Sequence, residues 1–168
     1  KVNQNKEFVL PLLSEGAHLE VASANDLWVV KKLWLGENFH SKIRVLCNGP
    51  KTQPYIDLIK QLREKGLAIV PIIEDISELK LFNGGYNGEL GIRINLQSKV
   101  KSHWDKKIDR FGLMLNEILE LGKIKNLKIL HYHIGSQIER ENDILLALRE
   151  AFNAYKKVKE AYIKEVAN

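Results

Sequence analysis

The chain has 168 residues, 45% of them hydrophobic and 28% charged, which is the composition of a folded globular domain with material for a real core. Its net charge of +5 comes from 26 basic residues spread among 21 acidic ones, a pattern of a solvated surface rather than a nucleic-acid interface. The single cysteine, Cys47, excludes an intrachain disulfide and fits a reducing, cytoplasmic setting, and no apolar run is long enough to span a membrane.

In chain order, the sequence opens at Lys1-Val2-Asn3-Gln4 without an initiating methionine, which hints at an excised piece. A short helix is expected over Glu7 to Leu13, interrupted or ended around Pro11. His18 to Ser23 reads as a strand, after which Ser23 or Asn25 can cap a helix running to about Trp34 with Leu27 and Val30 inside. Ile43 to Cys47 is a strand stopped by Asn48-Gly49-Pro50, and the next helix, about Pro54 to Lys65, buries Ile56 and Ile59 before Gly66. Leu67 to Ile73 is a continuous apolar run, as expected of a strand covered on both faces.

Glu74-Asp75 close that strand, and Ser77 opens a brief helix with Leu79 and Leu81 as its apolar pair. A glycine-rich loop over 83–89 precedes a strand from Leu90 to Leu96, and a polar loop from Gln97 to Arg110 leads to a helix over Leu113 to Leu121. Leu127 to Leu130 then form a strand that hands over to His131, Tyr132, His133, Ile134, Gly135 and Ser136. A long amphipathic helix from about Asp143 to Val166 follows, with Leu145, Leu148, Phe152, Tyr155 and Tyr162 as its expected core face.

Strand–helix alternation with short links specifies parallel βαβ units, so the fold class is α/β. An open doubly wound sheet and a large part of a (β/α)8 barrel both satisfy the pattern. No dinucleotide or P-loop glycine signature follows any strand, which lowers the open-sheet reading. In parallel folds the carboxyl ends of strands share one rim, and ligands bind there. That rim would collect Lys1, Glu20, Ser23, Asn48, Glu74, Asp75, Arg93, Asn95, His131, His133 and Ser136. Taken singly each has a plain structural role: Arg93, for example, could pair with Glu74 or with Glu89. Two histidines without a third ligand are a weak zinc signal, whereas an amine, an imidazole and a Gly-Ser phosphate site suit pyridoxal phosphate.

The residues that match a family are Lys1-Val2-Asn3-Gln4, Leu19-Glu20-Val21-Ala22-Ser23, Cys47-Asn48-Gly49 with Tyr55-Ile56, Ile72-Ile73-Glu74, Gly91-Ile92-Arg93-Ile94, Arg110-Phe111-Gly112-Leu113 and Leu130-His131-Tyr132-His133-Ile134-Gly135-Ser136-Gln137. On these the chain resembles the alanine-racemase-like (fold type III) pyridoxal-phosphate decarboxylases, most closely the biosynthetic arginine decarboxylases. The resemblance spans essentially all of residues 1–168 and implies one pyridoxal-phosphate-binding barrel domain, incomplete, with about strands two to six present. It implies that Lys1 is the Schiff-base lysine, Glu20 the acidic residue near it, Arg93 a strand-end arginine close to the cofactor, His133 the imidazole stacked on its ring, and Ser136 a phosphate contact. Lys1, Glu20 and His133 would be the catalytic set, acting on L-arginine to give agmatine and carbon dioxide for polyamine and spermidine synthesis.

The family continues beyond this chain with a glycine-rich phosphate loop, a carboxylate for the pyridine nitrogen, a carboxy-terminal β domain and a cysteine–aspartate element shared across a dimer. The 168 residues alone are therefore expected to be inactive, and the full protein to be a homo-oligomer handling a small amino acid, with no nucleic-acid or membrane partner. A diaminopimelate, ornithine or lysine decarboxylase, or a non-catalytic barrel module, are the alternatives. Magnesium often accompanies arginine decarboxylases of this type, but no ligand cluster in the sequence argues for it.

Overall fold

The computed structural model describes residues 4–36, 43–83, 85–98, 100 and 111–166. Along them helices and strands alternate: α1 Lys6–Ser14, β1 Leu19–Val21, α2 Ala24–Gly36, β2 Arg44–Cys47, α3 Gln53–Glu64, β3 Ala68–Ile73, α4 Ile76–Asn83, β4 Leu90–Arg93, α5 Leu115–Glu120, β5 Leu127–His131 and α6 Glu141–Val166. The chain divides into two compact units, Lys1–Ile72 with Lys80–Leu90, and Ile73–Leu79 with Gly91–Asn168.

In the first unit β1, β2 and β3 lie side by side in that order, both pairings parallel. Glu20 stands opposite Leu46 and Val21 opposite Cys47, so the residues that follow β1 and β2 emerge on one side. Helix α2 starts where Ser23 caps it: the Ser23 hydroxyl accepts from the Asp26 amide at 3.2 Å and donates to the Asp26 carboxylate at 2.9 Å. Helix α3 carries Tyr55, Ile56, Ile59 and Leu62 at helical spacing, and all four are buried. Each aliphatic side chain removed from water there contributes roughly 1.5–3 kcal/mol. Gly66, at φ +96°, ends the helix, its amide donating to the Arg63 carbonyl at 3.0 Å.

Helix α1 runs through Pro11 and ends three residues later, rather than stopping there. Proline removes one donor, and the residues beyond it still bond: the Glu15 amide and the Ser14 hydroxyl both donate to the Pro11 carbonyl, at 3.1 and 2.7 Å. Helix α4 buries Leu79 and Phe82, while Leu81 is 44% exposed, so the expected Leu79–Leu81 pair is corrected to an i, i+3 face.

In the second unit β4 neighbours β5, the Ile94 amide donating to the His131 carbonyl at 2.8 Å. The regular strand ends at Arg93, short of the expected Leu96, and Ile94 then bridges to Leu113 in parallel. The larger correction concerns α6. Its buried positions are Asp143, Ala147, Ala151, Ala154 and Val158, while Leu145, Leu148, Phe152 and Tyr155 are exposed. Small side chains let a helix approach its neighbours closely, and here the alanine stripe faces inward instead of the larger apolar one. Tyr162, placed on the same expected face, is half-buried, and its hydroxyl accepts from the Ile124 amide at 3.3 Å.

Candidate functional site

Two clusters hold the rim residues, one in each unit. In the first unit Glu20 is exposed near the end of β1, and the Asn48 side-chain amide donates to its Oε1 at 2.9 Å. Asn48 is itself fixed by its backbone amide, which donates to the Val21 carbonyl at 2.7 Å. The next residue, Gly49, has φ +72°, and a Cβ there would sit 2.3 Å from the Ala22 carbonyl oxygen. Only glycine fits, which is the physical content of the Cys-Asn-Gly strand end. Ser23 is committed to capping α2, so its hydroxyl serves the fold.

Around this corner the structure adds Lys51, which the sequence reading passed over, and gives Tyr55, named there only in the family match, a structural role. Lys51 is buried, and its ammonium donates to the carbonyls of Gly49 and Ile72. Tyr55, also buried, holds its hydroxyl 3.2 Å from the carbonyl oxygens of both Val21 and Asn48. The two side chains tie the ends of β1, β2 and β3 together with polar bonds rather than apolar packing. The signal available in the sequence was a lysine directly after the Gly49-Pro50 turn. Burial pushes the Cys47 thiol up to about 12, against smaller downward effects of Tyr55 and Lys51.

In the second unit Arg93 lies at the end of β4 with its Nη1 at 3.5 and 3.4 Å from the two oxygens of Glu74. The pair is largely enclosed, with side-chain exposures of 12% for Arg93 and 3% for Glu74. Of the two partners weighed for Arg93, the structure selects Glu74; Glu89 pairs with Arg44 instead. The Glu74 amide donates to Glu78 Oε2 at 2.9 Å. Asp75 turns to cap α4: its carboxylate accepts from the Ser77 amide at 2.7 Å and from the Ser77 hydroxyl, and these bonds hold its carboxyl below the usual range.

Beside Arg93, β5 ends at His131, and the loop that follows carries His133 and Ser136. The exposed His133 ring accepts the Gly135 amide on Nδ1 at 3.1 Å, so a neutral ring carries its proton on Nε2. Gly135 at φ +109° and Gln137 at φ +55° turn the chain around the half-buried Ser136. In this loop the half-buried Ser136 hydroxyl and the exposed His133 imidazole are a donor and a flat surface of the kinds that an aromatic ring bearing a phosphate would need. Lys1 and Arg110 lie outside the described residues. Among the described residues no group of three or more His, Cys, Asp or Glu could hold a metal ion, and no helix is long and apolar enough to cross a membrane.

Comparison with known proteins adds to this geometry. The profile of a family described as pyridoxal-dependent decarboxylase, pyridoxal binding domain, matches residues 1–165. A biosynthetic arginine decarboxylase of Bacteroides thetaiotaomicron is 33% identical over 92% of this chain and 27% of its own length. Enzymes of the same name from Geotalea daltonii and Prochlorococcus marinus are 31% and 34% identical, over 95% and 90% of this chain. The chain therefore spans about a quarter of the length of these relatives, 26–28%.

Proposed function

The chain belongs to the pyridoxal-dependent decarboxylases, through their pyridoxal-binding barrel domain, and on that premise we propose that the protein carrying it decarboxylates L-arginine to agmatine and carbon dioxide. The observation that carries the reading is the similarity to arginine decarboxylases across at least nine-tenths of the chain. Residues 1–168 act in this proposal as one partial barrel domain, inactive alone, in a cytoplasmic homo-oligomer that supplies agmatine to polyamine and spermidine synthesis.

Lys1 would hold the cofactor through its side-chain amine. Bound there, pyridoxal phosphate provides an electron sink for the pair left at Cα when the carboxylate departs. The chain's own residues do the rest. His133, whose imidazole accepts the Gly135 amide at 3.1 Å, would offer a flat surface to the cofactor's ring. Ser136 and the amides around it receive the phosphate. Arg93, neutralised on one side by Glu74, keeps a guanidinium at the end of β4 for an anionic group of the ligand. Glu20, oriented by Asn48, is the carboxylate available to hold or return a proton near Lys1.

The test offers the full protein a panel of arginine, ornithine, lysine and diaminopimelate, scored by carbon dioxide release with the cofactor present. Arginine should be preferred by at least about tenfold, the scale on which one well-placed ionic contact discriminates. A preference for diaminopimelate would sink the arginine assignment while leaving the family intact.

A further inference from the structure

The Phe111-Gly112-Leu113 turn has no part in the function proposed above, yet several contacts bind it to Arg93. The guanidinium carbon lies 5.5 Å from the centroid of the Phe111 ring, within cation–π distance. The Leu113 amide donates to the Arg93 carbonyl and the Asn95 amide to the Leu113 carbonyl, both at 2.9 Å. Gly112 has φ +89°, and a Cβ added there would stand 3.0 Å from the Arg93 carbonyl oxygen and 3.1 Å from its Cγ. The turn thus passes close to the backbone and stem of Arg93, as only a glycine allows, while its Phe111 ring meets the head. Gly112 also donates its amide to the Glu74 carbonyl at 3.1 Å, linking the turn to the residue whose carboxylate faces the same guanidinium.

We propose that Phe111, Gly112 and Glu74 form a clamp that fixes the Arg93 guanidinium before any ligand arrives, making them positioning residues for the cofactor site. The inference rests on the reading of Arg93 as a residue that faces the cofactor. A free arginine has many rotamers to lose on binding, and a side chain already held loses fewer, so the clamp acts on affinity through pre-organisation. Glu74 is in turn held by Glu78, whose carboxylate accepts the Glu74 amide at 2.9 Å.

A double-mutant cycle in the full protein tests this, read as the equilibrium affinity for pyridoxal phosphate by absorbance titration, with thermal melts to verify folding. Phe111→Leu should weaken binding about three- to tenfold and Phe111→Tyr, which keeps the ring, by less than about twofold. Glu74→Gln, which keeps the shape but not the charge, should weaken it about tenfold. In an Arg93→Ala background neither change should weaken binding further. Equal losses in both backgrounds, or no loss from Phe111→Leu and Glu74→Gln where Arg93→Ala does weaken binding, would overturn the clamp alone. If Arg93→Ala itself leaves the affinity unchanged, the placement of Arg93 at the cofactor fails, and the clamp's function fails with it.

Discussion

Cys47 sits at the end of β2, where it and Val45 are buried, next to the Asn48-Gly49 corner that orients Glu20. Burial raises its thiol from 9.0 to about 12, so the folded chain resists forming the thiolate. The sign follows directly: a raised folded value stabilises fully below pH 9.0, and that contribution is lost as pH climbs through about 12. At pH 8 a thiol reagent should leave Cys47 unmodified in the native protein and modify it completely in denaturant. Rapid native modification would contradict the packing described for the β1–β2–β3 corner. At this scale the sequence offered Glu74 or Glu89 as partners for Arg93, of which the structure shows Glu74, but it gave no partner for Glu20. Glu20 and Asn48 are 28 positions apart, and only the parallel register of β1 and β2 brings them to 2.9 Å. Lys51 escaped notice, and Tyr55 was named without its bonds, because a buried lysine and a tyrosine reaching carbonyls leave no periodic signal.

The elements themselves were legible where one period dominates. The apolar run of β3 and the α3 face at i, i+1, i+4 and i+7 have no competing reading. Helix α6 shows the limit. It carries two stripes about 100° apart on the helical wheel, one of large apolar residues and one of alanines with Val158. Size drew the reading to Leu145, Leu148, Phe152 and Tyr155, but close packing buries Ala147, Ala151 and Ala154. Lysines border the outer stripe, with Lys156 Nζ 5.1 Å from the Phe152 centroid and Lys159 Nζ 5.9 Å from that of Tyr155. The two stripes should therefore respond oppositely to substitution. Ala151→Leu overpacks a buried position and should cost about 1–3 kcal/mol in a denaturant melt of the 168-residue chain. Phe152→Lys, at a position 56% exposed, should change stability by no more than about 0.5 kcal/mol. The reverse order would restore the large stripe as the core face.

Over the whole molecule, alternation of strands and helices made the α/β class readable, and family membership identifies it as the pyridoxal-binding barrel, here incomplete. The rim was readable as a list of strand ends because parallel strands place their chemistry at one end. Sequence order left the grouping open: the structure pairs Glu20 with Asn48 in one unit and, of the two carboxylates offered for Arg93, chooses Glu74 in the other. In the function proposed above, the protein holds pyridoxal phosphate through Lys1. The direct measurement is to load the full protein with pyridoxal phosphate, reduce with borohydride and map the modified peptide. Label should fall on the Lys1 side chain and be diminished by His133→Ala. Label scattered over surface lysines, unchanged by that substitution, would contradict it.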